Sequence, residues 1–414
     1  MEKVKYLILG AGPAGLTFAN RLKQSGEDSF LVVEKETEAG GLCRSCQVDG
    51  SPFDIGGGHF LDVRRPKVNE YLFRFMPEEE WERFDRDSRI VIGEREISHP
   101  LEANIWQMEP EVQVQVLSSI ARAGCNSDKP KPEKFRDWIT WKLGDQIAGM
   151  YMLPYNRKMF ADELDELGIY WLDKLPDVSF EDTLRSCLTH KAYGQQPGHA
   201  SFYYPKKYGY GELWLRMAQE IEGHVKYGTD VIELDLNHSR IRMADGEYCE
   251  AEKIITTIPW NSYQHITGLP EDLHLAVKRL KHSSIETRYV GDTLQTDAQW
   301  LYIPDEQKPY HRILIRHNFC QGSRGFWLET RKERVDMYPD CSFLQRSCLC
   351  LPILHRIVLL LRRFLRRLTR ILSMWNVRRE RKGRLPGRLK RIFPSVALIF
   401  FWLMFLRKVR ESFV

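Results

Sequence analysis

Metal-type cysteine spacing and long apolar runs are both missing from this sequence of 414 residues. Its nine cysteines are scattered, and the single Cys-x-x-Cys pair, Cys43 and Cys46, has no partner pair at zinc spacing. We therefore predict no metal site and expect reduced thiols with a structural role. The apolar stretch 392–406 contains Pro394 and falls short of the ~20 residues that a membrane-spanning helix needs. The first residues lead directly into a strand-like run, so we expect no signal peptide and a cytoplasmic body.

Acidic residues are nearly absent from residues 341–414, which hold 18 Lys and Arg against Glu380 and Glu411. Residues 1–340 then hold 43 basic and 54 acidic side chains, so the net charge of +5 combines a negative body with a strongly positive tail. The composition is otherwise that of a globular protein, with 43% hydrophobic and 28% charged residues, and the length allows two domains.

A glycine fingerprint lies near the N-terminus, in a strand–turn–helix context. Residues 4–9 form an apolar run, and the element that follows reads Gly10, Ala11, Gly12, Pro13, Ala14, Gly15. Such a turn lets a pyrophosphate approach the backbone, and the helix N-terminus presents N–H groups to it. A second apolar run, Phe30–Val33, ends in Glu34, where a dinucleotide site places a carboxylate for ribose hydroxyls. NADP is not expected, because that carboxylate repels a 2′-phosphate.

Two further segments favour FAD as the dinucleotide. Residues 40–45 read Gly-Gly-Leu-Cys-Arg-Ser and resemble the Gly-Gly-x-x-Arg-Ser element of a flavoprotein superfamily. That superfamily includes flavin amine oxidases, protoporphyrinogen oxidases, phytoene desaturases and UDP-galactopyranose mutases. Arg44 would offer a forked cation to the pyrophosphate. The run Gly56–Gly58 and His59 would pass under a flat flavin ring, or else form a flexible loop.

A later block completes the expected FAD site. Residues 241–248 form a hairpin with an Asp-Gly turn, and the resemblance implies that Val231, just before it, meets the adenine through its backbone. The expected cofactor-binding residues are Gly10, Gly12, Pro13, Ala14, Gly15, Glu34, Lys35, Gly41, Leu42, Arg44, Gly57, Gly58, His59 and Val231.

The middle of the chain is the expected substrate domain. Its segments resemble, in order, the UDP-galactopyranose mutase and protoporphyrinogen oxidase branch, with similarity over about residues 1–340. Its aromatic side chains line a pocket or pack a core. Residues 311–319 look like a strand on which Arg312 and Arg316 share a face. The substrate-binding candidates are Tyr155, Asn156, Tyr203, Tyr208 and Arg312, and the basic candidates for a diphosphate are Arg157, Lys158, Lys206 and Lys207.

These patterns predict an α/β fold. We expect a Rossmann-like FAD-binding domain of the GR2 type, an inserted α+β substrate domain and an irregular basic helical tail. The expected parts are FAD-binding segments 1–90 and 221–262, substrate segments 91–220 and 263–340, and the tail 341–414.

The tail allows three interpretations. Residues 351–372 would suit an interfacial basic helix on a membrane. Nucleic-acid binding is disfavoured, because the segment is apolar and has no recognisable module. We prefer a frameshift, since codons can be chosen for residues 346–352 whose +1 frame encodes Tyr-Ala-Tyr-Pro, a sequence type of this branch. An open +1 frame in the gene would support it. The tail also lacks the family's Gly-Arg-x-Gly element, which would leave the isoalloxazine half of the site open.

The expected function is an FAD-dependent oxidoreductase of the amine oxidase or protoporphyrinogen oxidase type, with hydride transfer to flavin N5. The catalytic group would be the flavin itself, with His59 and Arg312 as protein candidates. One alternative is a non-redox nucleotide-sugar mutase that uses reduced flavin. Another is an inactive remnant of the fold. The expected partner is a small molecule, an amine or a nucleotide-sugar, without nucleic acid, and with membrane contact only through the tail.

Overall fold

The computed structural model describes residues 2–172, 175–195, 200–320 and 322–333. They belong to the first of two compact units into which the chain divides, Met1–Gln345. The tail 341–414, with its membrane and frameshift interpretations, lies outside the described residues.

Strands and helices alternate irregularly along these residues. The strands are β1 Glu2–Leu9, β2 Phe30–Val33, β3 Ser45–Val48, β4 Ser51–Asp54, β5 Leu61–Asp62, β6 Trp81–Asp85, β7 Ser88–Ile92, β8 Arg95–Ser98, β9 Ser201–Pro205, β10 Val225–Lys226, β11 Val231–Asp235, β12 Arg240–Met243, β13 Tyr248–Thr256, β14 His265–Thr267, β15 Ile285–Val290, β16 Trp300–Tyr302, β17 Tyr310–Leu314 and β18 Phe326–Arg331. The α-helices are α1 Pro13–Gln24, α2 Pro66–Leu72, α3 Leu101–Asn104, α4 Pro110–Ala121, α5 Phe135–Ile147, α6 Leu153–Phe160, α7 Phe180–Thr189, α8 Gly211–Gln219 and α9 Glu271–Lys278.

A seven-stranded sheet contains the fingerprint. Its strand order is β10-β2-β1-β13-β12-β11-β14, and β1 runs parallel to both β2 and β13. Leu7, Ile8 and Leu9 are all fully buried, because both faces of β1 are covered, and this explains the continuous apolar run. Leu16 and Ala19 of α1 belong to the same core cluster as Ile8. The predicted strand–turn–helix–strand unit and the β12–β13 hairpin both form.

A six-stranded sheet, β15-β18-β17-β16-β7-β8, combines strands from two separate stretches of the chain, residues 88–98 and 285–331. Its β7–β8 hairpin is antiparallel. The strand predicted over 311–319 is shorter than expected, since β17 ends at Leu314. Arg316 begins a 3₁₀ turn, Arg316–Asn318, so the prediction that Arg312 and Arg316 share a strand face is wrong.

Helices α3 to α7 cover this second sheet. The inward side of α5 packs Phe135, Trp138 and Ile139 into a cluster that also contains Ile90 of β7 and Tyr302 of β16. α5 changes direction near its end, where Gly144 has φ +72°. Two small sheets, β3-β4 and β5-β9-β6, complete the pairing.

Candidate functional site

The turn between β1 and α1 is built on close backbone contact. A Cβ on Gly15 would lie 2.0 Å from the Gly10 carbonyl oxygen, so α1 packs against β1 only with glycine there. Gly12 differs, because the nearest atom to a Cβ there is the Gly41 Cα at 3.9 Å. No side chain caps α1, and its first turn, which begins with Pro13 and Ala14, contains no acidic residue. The free N–H groups of this helix end therefore make the space beside Gly12 favourable for an anion.

Glu34 is held beside this turn by two backbone hydrogen bonds. Its Oε2 accepts a bond of 2.7 Å from the Ala11 N–H, and its Oε1 accepts one of 3.0 Å from the Glu36 N–H. The residue is 6% exposed at the end of β2. A carboxylate therefore stands next to the fingerprint turn.

A second glycine turn faces the first. Gly41 has φ +55°, and a Cβ on it would lie 3.2 Å from the Gly12 Cα, so a side chain on Gly41 would be tight against the first turn. Arg44 supports this turn, since its Nε donates to the Gly41 carbonyl oxygen at 3.0 Å and its Nη1 donates to Glu36 Oε2 at 3.1 Å. Part of the guanidinium fork is thus already used within the protein.

Three other predicted cofactor residues take different positions. The side chain of Lys35 is largely exposed, and its Nζ lies 3.9 Å from Glu36 Oε1. Leu42 is 75% exposed. Val231 is buried at the start of β11, where the Thr229 N–H donates to the Glu34 carbonyl oxygen at 2.9 Å. The backbone before β11 therefore reaches Glu34.

The third glycine segment packs against the six-stranded sheet. A Cβ on Gly58 would lie 2.1 Å from Leu314 Cδ2, and one on Gly57 would lie 2.7 Å from Glu329 Oε1. His59 Nδ1 lies 3.0 Å from the Gly57 carbonyl oxygen, to which it donates, and its ring stacks on Tyr210 at 6.1 Å. The segment is thus a packed turn rather than a flexible loop.

A buried ion pair lies next to the third glycine segment. Arg316 Nη1 donates to Asp54 Oδ2 at 3.2 Å, and both side chains are fully buried. The Tyr204 hydroxyl donates to the same oxygen at 2.8 Å, and the Arg316 guanidinium lies 4.4 Å from the ring centres of Tyr204 and Trp327. Arg316 therefore joins β4 to β9 and β18, instead of facing a substrate.

A cavity of about 300 Å³ lies between the helices and the second sheet. Of the predicted substrate residues, Tyr155, Asn156 and Arg312 line it. Tyr203 and Tyr208 do not: the Tyr203 hydroxyl donates to Glu78 Oε1 at 3.2 Å, and Tyr208 lies partly exposed under the Arg216 guanidinium. The aromatic side chains of the cavity wall are Phe135, Trp138, Tyr151, Tyr155, Phe160, Trp171 and Tyr302.

The charge of Arg312 is compensated at the cavity wall. Its Nε donates to Glu329 Oε2 at 2.7 Å, and Glu329 Oε1 accepts from the Gly58 N–H at 3.4 Å. Burial, together with the cations Arg312 and Lys158, lowers the pKa of neighbouring His311 to about 3. His311 is therefore neutral, and the Arg312–Glu329 pair connects the cavity to the third glycine segment.

One acid of the wall has an unusual protonation equilibrium. Burial raises the pKa of Glu102, on α3, to about 7. Burial also raises the pKa of Cys43, next to the second glycine turn, to about 12, with a smaller contribution from Asp54. The Cys43 thiol is thus protonated and unreactive at neutral pH.

The sequence missed several of these residues. Asp54, the last residue of β4, lies two residues before Gly56 and marks the strand end that holds that turn. Glu329 and Tyr302 lie on strands with no motif of their own. Glu102 follows a hairpin and Pro100, a context that indicates only a helix start. Burial and not spacing distinguishes Glu102, and burial of an acid is not visible in sequence.

Comparison with known proteins identifies the first part of this site. Residues 8–76 match the family model described as an NAD(P)-binding Rossmann-like domain. The chain carries a Rossmann-like dinucleotide-binding domain. A crystal structure of reduced UDP-galactopyranose mutase matches with a TM-score of 0.73 and 22% identity, covering 80% of this chain and 74% of that one. A putative protoporphyrinogen oxidase from Exiguobacterium sp. 255-15 matches with a TM-score of 0.56 and 12% identity, covering 84% and 83%.

Curated relatives are similar to less than half of this chain. Coproporphyrinogen III oxidase of Mycobacterium bovis is 24% identical over 189 residues, which is 41% of this chain and 40% of that protein. FAD-binding monooxygenase tazF of Aspergillus terreus is 25% identical over 198 residues, or 46% and 29%. The chain thus spans less than half of the length of these relatives. The mixed α/β fold with its Rossmann-like domain is confirmed, and so is the resemblance on which it was predicted.

Neither a membrane-spanning helix nor a metal-binding cluster occurs among the described residues. Within 2–172, 175–195, 200–320 and 322–333, no helix is long and apolar enough to span a membrane. In the same ranges, His, Cys, Asp and Glu side chains form no group of three or more that could hold a metal ion.

Proposed function

We propose that this chain is an FAD-dependent oxidoreductase, with its cofactor held by the two facing glycine turns and by Glu34. The observation that carries the proposal is the bare backbone at Gly12 and Gly41, beside the uncapped N-terminus of α1. Backbone N–H groups and a positive helix end are the partners that a diphosphate needs. The fixed carboxylate of Glu34 suits ribose hydroxyls.

A continuous path of glycines connects the first turn with the cavity. A Cβ on Gly56 would lie 2.1 Å from the Leu42 carbonyl oxygen, so the second turn touches the third segment directly. That segment then touches Glu329, which binds Arg312 at the cavity. A dinucleotide lying along this path would bring its far ring toward the cavity. One relative, the monooxygenase tazF, is named as FAD-binding.

The cavity supplies the surroundings that such chemistry requires. Bound FAD would accept a hydride from a substrate C–H bond. The aromatic walls would exclude water and orient the substrate, and Arg312, fixed by Glu329, would mark the end of the cavity nearest the glycine segment. Burial raises the pKa of Tyr151 and of Tyr155, so both hydroxyls stay protonated and can donate hydrogen bonds.

A nucleotide-sugar mutase is the second candidate, because the structure of reduced UDP-galactopyranose mutase gives a TM-score of 0.73. The cavity supports it less well. Lys158 donates to the carbonyl oxygens of Ile303 and Tyr310, and Lys206 donates to that of Glu79, so neither is offered to a diphosphate. A volume of 300 Å³ is also at the lower end for ligand pockets, which favours a smaller substrate.

An absorption spectrum of the purified full chain tests the proposal. We expect the bands of bound flavin, and bleaching of those bands under anaerobic conditions when a small amine is added without reductant. Turnover of UDP-galactose only after reduction with dithionite would instead support the mutase. A folded chain that stays colourless and binds no added FAD would contradict both functions and leave the inactive remnant.

A further inference from the structure

Glu102 is a buried acid that is not part of the proposed cofactor site. It lies on α3, is 7% exposed and lines the cavity. Within the part of the chain that the structure describes, its carboxyl group accepts a hydrogen bond from its own backbone N–H and shares no hydrogen bond or ion pair with another residue. A buried carboxyl group without such a partner is costly, unless it is protonated or a ligand provides the partner.

The charges around Glu102 do not neutralise it. Lys142 of α5 and Asp177, which precedes α7, act on its pKa in opposite directions, and they bind each other at 2.6 Å. Arg312 is paired with Glu329. Glu102 therefore remains an uncompensated acceptor in the wall.

The other cation of the wall is engaged elsewhere. Arg86 donates to the Ser88 hydroxyl at 2.8 Å and to the Tyr302 hydroxyl at 2.9 Å. Its guanidinium also lies 4.7 Å from the ring centre of Trp300. Arg86 thus belongs to the wall next to the second sheet and does not pair with Glu102.

We propose that Glu102 is the specificity-determining residue of the cavity, and that its carboxylate binds the ammonium group of a small amine. The apolar part of the amine would lie against Tyr151, Phe135 and Trp138, which line the same cavity. The oxidation of that amine rests on the proposed function, but its binding does not.

The physical argument is charge compensation in an apolar site. Burial raises the pKa of Glu102 to about 7, so its ionised form is costly when the cavity holds no cation. An ammonium group compensates that charge by a charge-assisted hydrogen bond, and aromatic faces attract a cation further. A neutral molecule of the same shape gains only the apolar contacts.

Calorimetric titration with benzylamine and with benzyl alcohol separates these contributions. At about pH 8, where Glu102 is mostly ionised, the wild-type chain should bind benzylamine at least about tenfold more tightly than Glu102→Gln does. Benzyl alcohol should bind both within about twofold. Glu111→Gln, which removes an exposed acid on α4, is the matched control and should behave as wild type. Equal benzylamine affinity for wild type and Glu102→Gln, or no benzylamine binding to wild type, would overturn the proposal.

Flavin absorbance of the same samples keeps the two proposals apart. A colourless protein that distinguishes benzylamine from benzyl alcohol through Glu102 supports this inference and contradicts the FAD function. A yellow protein that binds both probes with the same affinity supports the FAD function and contradicts this inference. Unfolding curves at about pH 4, where Glu102 is protonated, should coincide for wild type and Glu102→Gln and so confirm that the variant folds.

Discussion

At the scale of single residues, Gly12 offers the sharpest test of cofactor binding. Its φ of −79° and ψ of 179° suit alanine, and an added Cβ would meet no protein atom closer than 3.9 Å. Gly12→Ala should therefore change the free energy of unfolding by less than about 1 kcal/mol. It should nevertheless weaken FAD binding at least about tenfold, because the methyl group occupies the space of the diphosphate. Fluorescence titration with FAD and urea denaturation measure the two effects.

Gly149→Ala is the matched control for this prediction. A Cβ there meets no atom within 4 Å, and the residue lies far along the chain from the glycine turns. The variant should bind FAD as wild type does. If Gly12→Ala retains full FAD affinity, the diphosphate does not lie at the N-terminus of α1.

Glu102 makes a residue-scale prediction about pH. Its pKa is about 7 in the folded chain against an ordinary value of 4.5, so folding favours the protonated form. Its contribution is fully favourable below about pH 4.5 and is lost as the pH rises to about 7. Glu102→Gln should thus be more stable than wild type by on the order of 3 kcal/mol at about pH 8, and no more stable at about pH 4. Urea midpoints across this range provide the measurement, and a pH-independent difference would contradict the prediction.

At the scale of elements, the sequence predicts units of neighbouring strands and helices well, but it predicts contacts between distant segments poorly. The β1–α1–β2 unit follows from apolar runs and glycines that are close together in the chain. The end of β17 at Leu314 was missed, because alternation continues past it in the sequence while the backbone turns. Just past that end, Arg316 forms an ion pair with Asp54, 262 positions away in the chain. A local sequence pattern cannot reveal a pair of residues that are so far apart in the chain.

The Arg316–Asp54 ion pair should contribute strongly to the free energy of unfolding, because it connects separate strands. Arg316→Met leaves the Asp54 carboxylate buried without its cation, which should cost about 3–5 kcal/mol of unfolding free energy. Adding Asp54→Asn should recover part of that loss, because no charge then stays buried. The exposed pair of Arg64 and Asp62 is the control, and Arg64→Met should cost less than about 1 kcal/mol. Urea denaturation of wild type and of the three variants measures these effects, and equal losses for Arg316→Met and Arg64→Met would show that the pair does not join the strands.

At the scale of the whole molecule, the cavity wall is the feature that the sequence predicted only in part, through Tyr155, Asn156 and Arg312. The wall takes Glu102 from α3, Tyr155 from α6 and Tyr302 from β16, which no motif connects. The aromatic pattern alone also suggested Tyr203 and Tyr208, which the fold directs elsewhere. The glycine elements were predictable, because their chemistry demands particular residues at particular spacings. A cavity wall demands only shape and polarity, which many sequences supply.

FAD should couple the two sheets when it binds to the full chain. A ligand that binds only the folded state adds about 2.7 kcal/mol at one hundred times its Kd, so the unfolding temperature should rise with FAD concentration in wild type and not in Gly12→Ala. Hydrogen exchange locates the effect. If the flavin reaches the third glycine segment, protection should increase at residues 10–15 and 40–44 and also at 56–59 and β17, since Gly58 packs on Leu314. Protection confined to the first two turns would show that this chain holds only the adenine half of the cofactor, and it would contradict a flavin ring beside the cavity.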